Sequence, residues 1–411
     1  MRNLAILVVL TLASFMVLLT PVHAVAILVV DDDGFYNAAT IPPGCDGAVV
    51  TPYTTVQAAV TAANNGDTIR VCPGTYTEQV TIPPTFTQPV DPLAHSLILQ
   101  STSPLTAVIK APASMAVPKA IVRVNGATGV AIRDFTISGP GDGTCDSIRT
   151  GIRVDAGGSA TIERNHITAI RDEPFGGCQT GVGILVGRNF EATTGTAVIL
   201  KNTIDDYQKG GIVVDNAGSS ATIDSNIVSG AGSTTATAQN GIQVSRGATA
   251  IVKKNKVEGN WFIGADWTAS GILIFESDGV LVQSNKVSGS QSGIVAETWC
   301  WAVPSASLNI IKQNTVSDAE SGITVDAVEF PGLSSCNALA NTNQVLNNTL
   351  TSSGETGIFV GIDDSGGVYM PTANSNKVSG NKISGLGVLP ASSTRSIAPA
   401  RSTKVHVSVT E

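Results

Sequence analysis

The residues best suited to chemistry are carboxylates at a fixed offset from a recurring glycine. Four places after it the sequence reads Asp155, Gly187, Asp215, Ser245, Phe275, Glu297, Asp326 and Gly361, with Glu276 one place beyond Phe275. If the glycines mark equal positions in stacked coils, Glu297 and Asp326 stand on adjacent rungs about 4.8 Å apart, with Glu276 about one rung below. Carboxylates so placed can serve as acid, base or nucleophile on a glycosidic bond, or can bind calcium. A close pair also raises one of its pKa values, which suits a general acid. All four tryptophans, Trp261, Trp267, Trp299 and Trp301, fall within 41 residues around these segments. Indole faces beside carboxylates match a sugar, which has apolar ring faces and a hydroxyl edge. Tyr207, following Asp205 and Asp206, precedes the Gly211 segment and would extend such a groove. The bland alternative is solvated turn acids and tryptophans that pack loops down.

Other chemistries find less support. Of four histidines, His23 lies in the N-terminal apolar stretch, His95 before an early strand, His166 in an Asn-containing turn and His406 in the tail. A histidine triad or a His-rich metal site is therefore disfavoured. There is no nucleotide-binding glycine fingerprint, since "GDGTC" at Gly141 is followed by no helical pattern. A net charge of -8 without a basic block argues against nucleic acid as partner.

The elements that must hold these residues come from a repeat. "GIRV", "GILV", "GIVV", "GIQV", "GILI", "GIVA", "GITV" and "GIFV" begin at Gly151, Gly183, Gly211, Gly241, Gly271, Gly293, Gly322 and Gly357. After each comes a phrase such as "ATIERNHI", "ATIDSNIV" or "VLVQSNKV". These runs are short, alternating and rich in Val and Ile, so they read as strands. Offsets of 22 to 35 residues between glycines fit one coil of three strands with variable turns. A single coil cannot bury its own apolar face, so the coils stack. Asn165, Asn202, Asn226, Asn255, Asn285, Asn314, Asn348 and Asn381 recur at one turn, where stacked amides can bond one above another.

This cycle, with the phrase "YTTVQAAVTAANNGDTIRVCPGTYTEQVTI", resembles the pectin lyase-like right-handed parallel β-helix over about residues 53 to 385. The resemblance implies an all-β, single-stranded right-handed parallel β-helix (a β-solenoid of about ten coils) with a short N-terminal capping helix. By it, the Gly phrase is the first strand of each coil, the "ATI" phrase the second and the residues after Asn the third. Thr54 is expected as N-cap with Gln57 completing a capping box, and Val56, Ala59, Val60 and Ala63 on the buried helix face. In "GDTIRVCPGTYTEQV", Ile69 and Val71 point inward, while Asp67, Arg70, Tyr76 and Glu78 are placed at turns or outside. Pectate lyases of the group use calcium-binding aspartates with an arginine base, and polygalacturonases use clustered aspartates with Gly-His-Gly. This chain has no Gly-His-Gly and no Arg beside the Glu276 to Asp326 strip, so no catalytic residue carries over by position.

Six cysteines in such a chain suggest disulfides. Phase within the repeat pairs Cys145 with Cys178 and Cys300 with Cys336, each in equivalent loops of consecutive coils, and leaves Cys45 with Cys72 at the cap. No metal site is expected from them. The apolar run Leu4 to Leu19, followed by Pro21 and a small-residue site ending at Ala24, reads as a secretory signal peptide. The expected layout is signal peptide 1–24, N-terminal segment with capping helix 25–65, β-helix 66–385 and a flexible C-terminal tail 386–411. The chain is thus expected to be exported (periplasmic, cell-surface or extracellular), with no membrane span after cleavage. It is expected to bind, and as lyase or glycoside hydrolase to cleave, a polysaccharide or surface glycan along its first-strand face. Glu276, Glu297 and Asp326 would be the catalytic set; Trp261, Trp267, Trp299, Trp301 and Tyr207 would bind substrate. The rival reading is a non-catalytic structural or adhesion solenoid.

Overall fold

A computed structural model describes residues 25–31, 45, 53–89, 94–143, 145–264, 267–329, 336–351, 354, 356–364 and 371–385. The expected signal peptide and tail lie outside them. Three long sheets wrap one core. Among the described residues the first-strand sheet has ten strands, the second-strand sheet twelve and the third-strand sheet eleven. Ladders within each sheet are parallel and join successive coils, as at Ile152↔Ile184, Ile162↔Ile199 and Ile167↔Ile204. The second-strand sheet begins with Ile27–Val30, a strand ahead of the expected β-helix start.

The repeated glycine has a steric cause. A Cβ at Gly271 would stand 2.4 Å from Val287 Cγ1 and 2.8 Å from the Gly293 carbonyl oxygen. Gly183, Gly211, Gly241 and Gly293 are closed off in the same way, by Ile204, Val228, Val257 and Val316 of the third strands. The first strand therefore crosses the third-strand side chains at a point where only hydrogen fits. The Ile and Val on either side of that crossing, such as Ile272, Ile274, Val282 and Val287, are buried in one core cluster that runs through successive coils.

At one corner the asparagines form the expected ladder. Each Nδ2 donates to the next Oδ1 at 2.9–3.1 Å from Asn165 through Asn202, Asn226, Asn255, Asn285, Asn314 and Asn348 to Asn381. The same amides bond backbone groups, as when Asn255 Nδ2 donates to the Ile223 carbonyl and Asn255 Oδ1 accepts the Asn226 N–H. The row satisfies buried backbone at a turn. A second, shorter row occupies another corner: Oδ1 of Asn309, Asn343 and Asn376 accepts the N–H of Val280, Asn309 and Asn343.

The cap is a helix, Val56–Ala62, burying Val56, Ala59 and Val60. Its N-cap is Thr55 rather than Thr54: Thr55 Oγ1 accepts from the Ala58 N–H at 3.1 Å. Gln57 does not reach back either, because Glu78 takes the Val56 and Gln57 N–H groups and Gln57 Oε1 accepts from Thr81. Anionic Glu78 at this end is favoured by the exposed amides and the helix dipole. Asp67 and Tyr76 also depart from the outward placement. Asp67 is 1 % exposed and accepts from the Ala26 and Asn64 N–H groups, and buried Tyr76 donates to the Cys72 carbonyl. All three disulfides pair as phased: Cys45–Cys72, Cys145–Cys178 and Cys300–Cys336, with Cα separations of 5.6–5.7 Å.

Candidate functional site

The register places the column of residues four beyond each glycine as the spacing requires. Asp215 pairs with Ser245, Ser245 with Phe275, Phe275 with Glu297, Glu297 with Asp326 and Asp326 with Gly361. Because Ile272, Ile274, Ile294 and Ala296 face the core, Leu273, Phe275, Val295 and Glu297 face outward. On this outward face Leu273, Phe275 and Val295 cluster, with Trp299 packed against them. Trp299 meets Phe275 edge-on, with ring centroids 5.2 Å apart, and stacks with Trp267 at 5.9 Å. Trp267 remains 53 % exposed, so an indole face is offered to solvent on a supported base.

Glu297 stands at the edge of this aromatic base. By surface area it is only partly buried, yet protein crowds the rest of the carboxylate. That burial pushes its pKa up to about 7; the Glu276 charge adds to the rise and a hydrogen bond from Trp299 opposes it. Asp326 follows on the adjacent rung.

The other expected site residues separate from this pair. Glu276 is fully buried, with φ 52°, and its carboxylate accepts the N–H groups of Trp301, Ala302 (2.7 Å) and Val303 (3.0 Å). It anchors the loop that carries the Cys300–Cys336 disulfide and is not presented to a ligand. Tyr207 is fully buried as well and donates to Asn260 Oδ1 at 2.6 Å; burial drives its pKa far up. It is a core residue, not part of a groove. Trp261 sits in the third-strand sheet opposite Ser233, and Trp301 is 55 % exposed beyond the stack. The structure thus brings together Trp267, Trp299, Glu297 and Asp326.

Further back on the same face, the column's other acids are committed to arginines. Asp155 receives Arg123 in a two-pronged contact (2.9 Å each) and Arg153 at 2.7 Å. Asp215 accepts from Arg246 (2.8 Å), Ser245 (2.9 Å) and the Asn189 N–H (2.9 Å). The Asn189 bond holds down a short 3-10 turn, Asn189–Glu191, whose Glu191 binds Arg153. Arg188 and Arg246 flank the exposed Phe190 ring. Sequence reasoning singled out none of these arginines. The available signal was Arg153 in "GIRV", where an outward position of the first strand holds a cation directly above Arg123. Cys145, Cys178 and Asp172 also converge, but the two sulfurs form a disulfide and Asp172 accepts from Ser147 and Gln208, which leaves no ligand set.

Residues 182–383 match the family model described as a right handed beta helix region. No curated protein matches. Among solved structures, the lacto-N-biosidase from Eubacterium ramulus is similar at 11% identity, with a TM-score of 0.51, covering 89% of this chain and 68% of that one. Pectate lyase Pel9A is similar at 14% identity, TM-score 0.43, with 81% and 78% covered. A pectin methylesterase from carrot follows at 14% identity, TM-score 0.41, with 86% and 88% covered. At such identities the likeness concerns the fold. With that match over residues 182–383 and the three-sheet coil running from Ile27 to Ser384, the fold is a right-handed parallel β-helix, the architecture that the sequence repeat resembles.

Proposed function

We propose that this protein binds a polysaccharide along the outward face of its first-strand sheet, with Trp267 on Trp299 as the sugar platform. The carrying observation is that exposed stack, set directly beside Glu297 on the same face. A carboxyl held up to about 7 keeps roughly half its population protonated at pH 7, which suits donation to a glycosidic oxygen. Asp326, one rung on, is the nearest column residue able to complete a two-carboxylate arrangement. The fold is shared with a lacto-N-biosidase, which agrees with a carbohydrate-related role in general terms. The three disulfides fit export to an oxidising compartment. The second reading, a binding or adhesion solenoid without turnover, is favoured by one fact: Glu276, the third expected catalytic acid, is fully occupied by loop amides.

A polysaccharide panel assayed for binding, reducing ends and unsaturated products tests both. Trp267→Ala is expected to weaken binding about tenfold or more, in line with a lost stacking contact of roughly 1–2 kcal/mol. Glu297→Gln and Asp326→Asn are expected to abolish turnover while binding persists. Binding that depends on Trp267 without turnover by the native protein establishes the solenoid reading. Absence of any glycan binding sinks both.

A further inference from the structure

The outward first-strand face carries a second built feature. A recess of about 20 Å³ lies among Arg149, Thr150, Arg153, Thr180, Arg188 and Glu191. That volume admits about one water-sized group and excludes a sugar ring. Its rung, at Leu185, is four steps before Val295, through Val213, Gln243 and Leu273, or roughly 20 Å along the helix axis.

The walls hold polar groups whose bonding is incomplete. Thr150 is 1 % exposed, and among the described residues neither its Oγ1 nor that of Thr180 has a hydrogen-bond partner. Arg153, also 1 % exposed, is already engaged by Asp155 and Glu191. Arg188 differs. Its guanidinium lies 5.4 Å from the Phe190 centroid, and among the described residues no carboxylate comes within ion-pair distance of it. Burial is the main influence that lowers its pKa, and Arg246 and Arg153 add to it, partly offset by Asp215 and Glu191. A desolvated guanidinium with two spare hydroxyl donors complements an oxyanion and repels a cation.

We propose that this recess is an oxyanion subsite that takes one oxygen of a carboxylate or sulfate group, the rest of the group lying at its mouth, with Arg188 as charge partner and Thr150 and Thr180 as hydrogen-bond donors. That the group is carried by a glycan lying along the first-strand face rests on the function proposed above; the oxyanion preference does not. Glu191, which holds Arg153 and contributes a negative charge, opposes the ligand.

Isothermal titration calorimetry on the full chain with glucuronate, a monosaccharide sulfate ester and neutral glucose tests this. The charged sugars are expected to bind, more weakly as salt rises, and glucose not to bind. The tighter of the two charged sugars identifies the group. Arg188→Ala should cost tenfold or more and Thr150→Val several-fold, with the melting temperature of Thr150→Val unchanged or raised because the lost hydroxyl had no partner. Glu191→Gln should tighten binding, an outcome that a merely structural role for Glu191 would not give. Trp267→Ala should leave the charged monosaccharides unaffected. Anion binding indifferent to both Arg188→Ala and Thr150→Val, or equal heats for glucose and the charged sugars, overturns the subsite whatever the polysaccharide panel shows. Charged monosaccharides bound through Arg188, with no polysaccharide bound, would keep the subsite and remove its glycan carrier.

Discussion

Glu276 and Glu297 lie within one rung of each other, yet their carboxylates meet opposite surroundings: three amide donors for one, an aromatic wall for the other. For Glu297 the consequence is measurable. A carboxyl raised from its usual 4.5 to about 7 favours the protonated folded state. Its stabilisation is fully present below about pH 4.5 and is lost as the pH rises through about 7. Glu297→Gln stays neutral throughout, so between those values the native protein should lose at most about 3 kcal/mol relative to the variant. Urea unfolding at several pH values reads this difference; one that stays flat with pH would mean the carboxylate is well solvated. Sequence spacing located this residue correctly on its rung. It could not tell that Glu276, one place after Phe275, turns under the loop, because loop conformation is set by contacts such as the Trp301 to Val303 amides rather than by period. Tyr207 escaped for the same reason, its partner Asn260 being 53 residues away.

At the scale of the coil, two invariants make the repeat readable: a glycine where first and third strands touch, and an asparagine at a corner. Both are expensive to change. Gly271→Ala would force a methyl against Val287 and the Gly293 carbonyl and should destabilise by about 2 kcal/mol or more. Asn255→Ala removes an amide bonded to Asn226, Ile223 and Asn285 and leaves those buried groups wanting, for at least about 3 kcal/mol. Chemical denaturation checks both; Lys253→Ala, whose lost Asp224 contact lies on the surface, should change stability by less than about 1 kcal/mol. The second row, Asn309 to Asn376, was not legible beforehand because it appears only in the last coils and shares no fixed phrase. The helix start was misplaced by one residue because Thr54 and Thr55 are both adequate caps, and only the fold brings Glu78 to the amides that settle the choice.

Over the whole molecule the strand ladders join each coil to the next, with few longer reaches such as Tyr207 to Asn260 two rungs on, so stability should be graded along the axis rather than uniform. Glu78→Gln weakens the cap at its charged end, and hydrogen exchange should then quicken in Val56–Ala62 and Asp67–Val71 while Asn240–Ser245 keeps its protection. Uniform acceleration would contradict nearest-neighbour behaviour. The asparagine ladder adds a property of a different kind, since all its side-chain donations run the same way. At the beginning, Asn165 Oδ1 accepts an ordinary backbone N–H, that of Phe135. Any residue but proline can supply such a donor. At the other end, Asn381 accepts from Asn348 and gives one hydrogen to the Val345 carbonyl. The coil stack therefore has a sense of growth: a segment joined ahead of Phe135 needs only a peptide bond in the right place, whereas one joined after Ser384 must bring its own amide oxygen to continue the line.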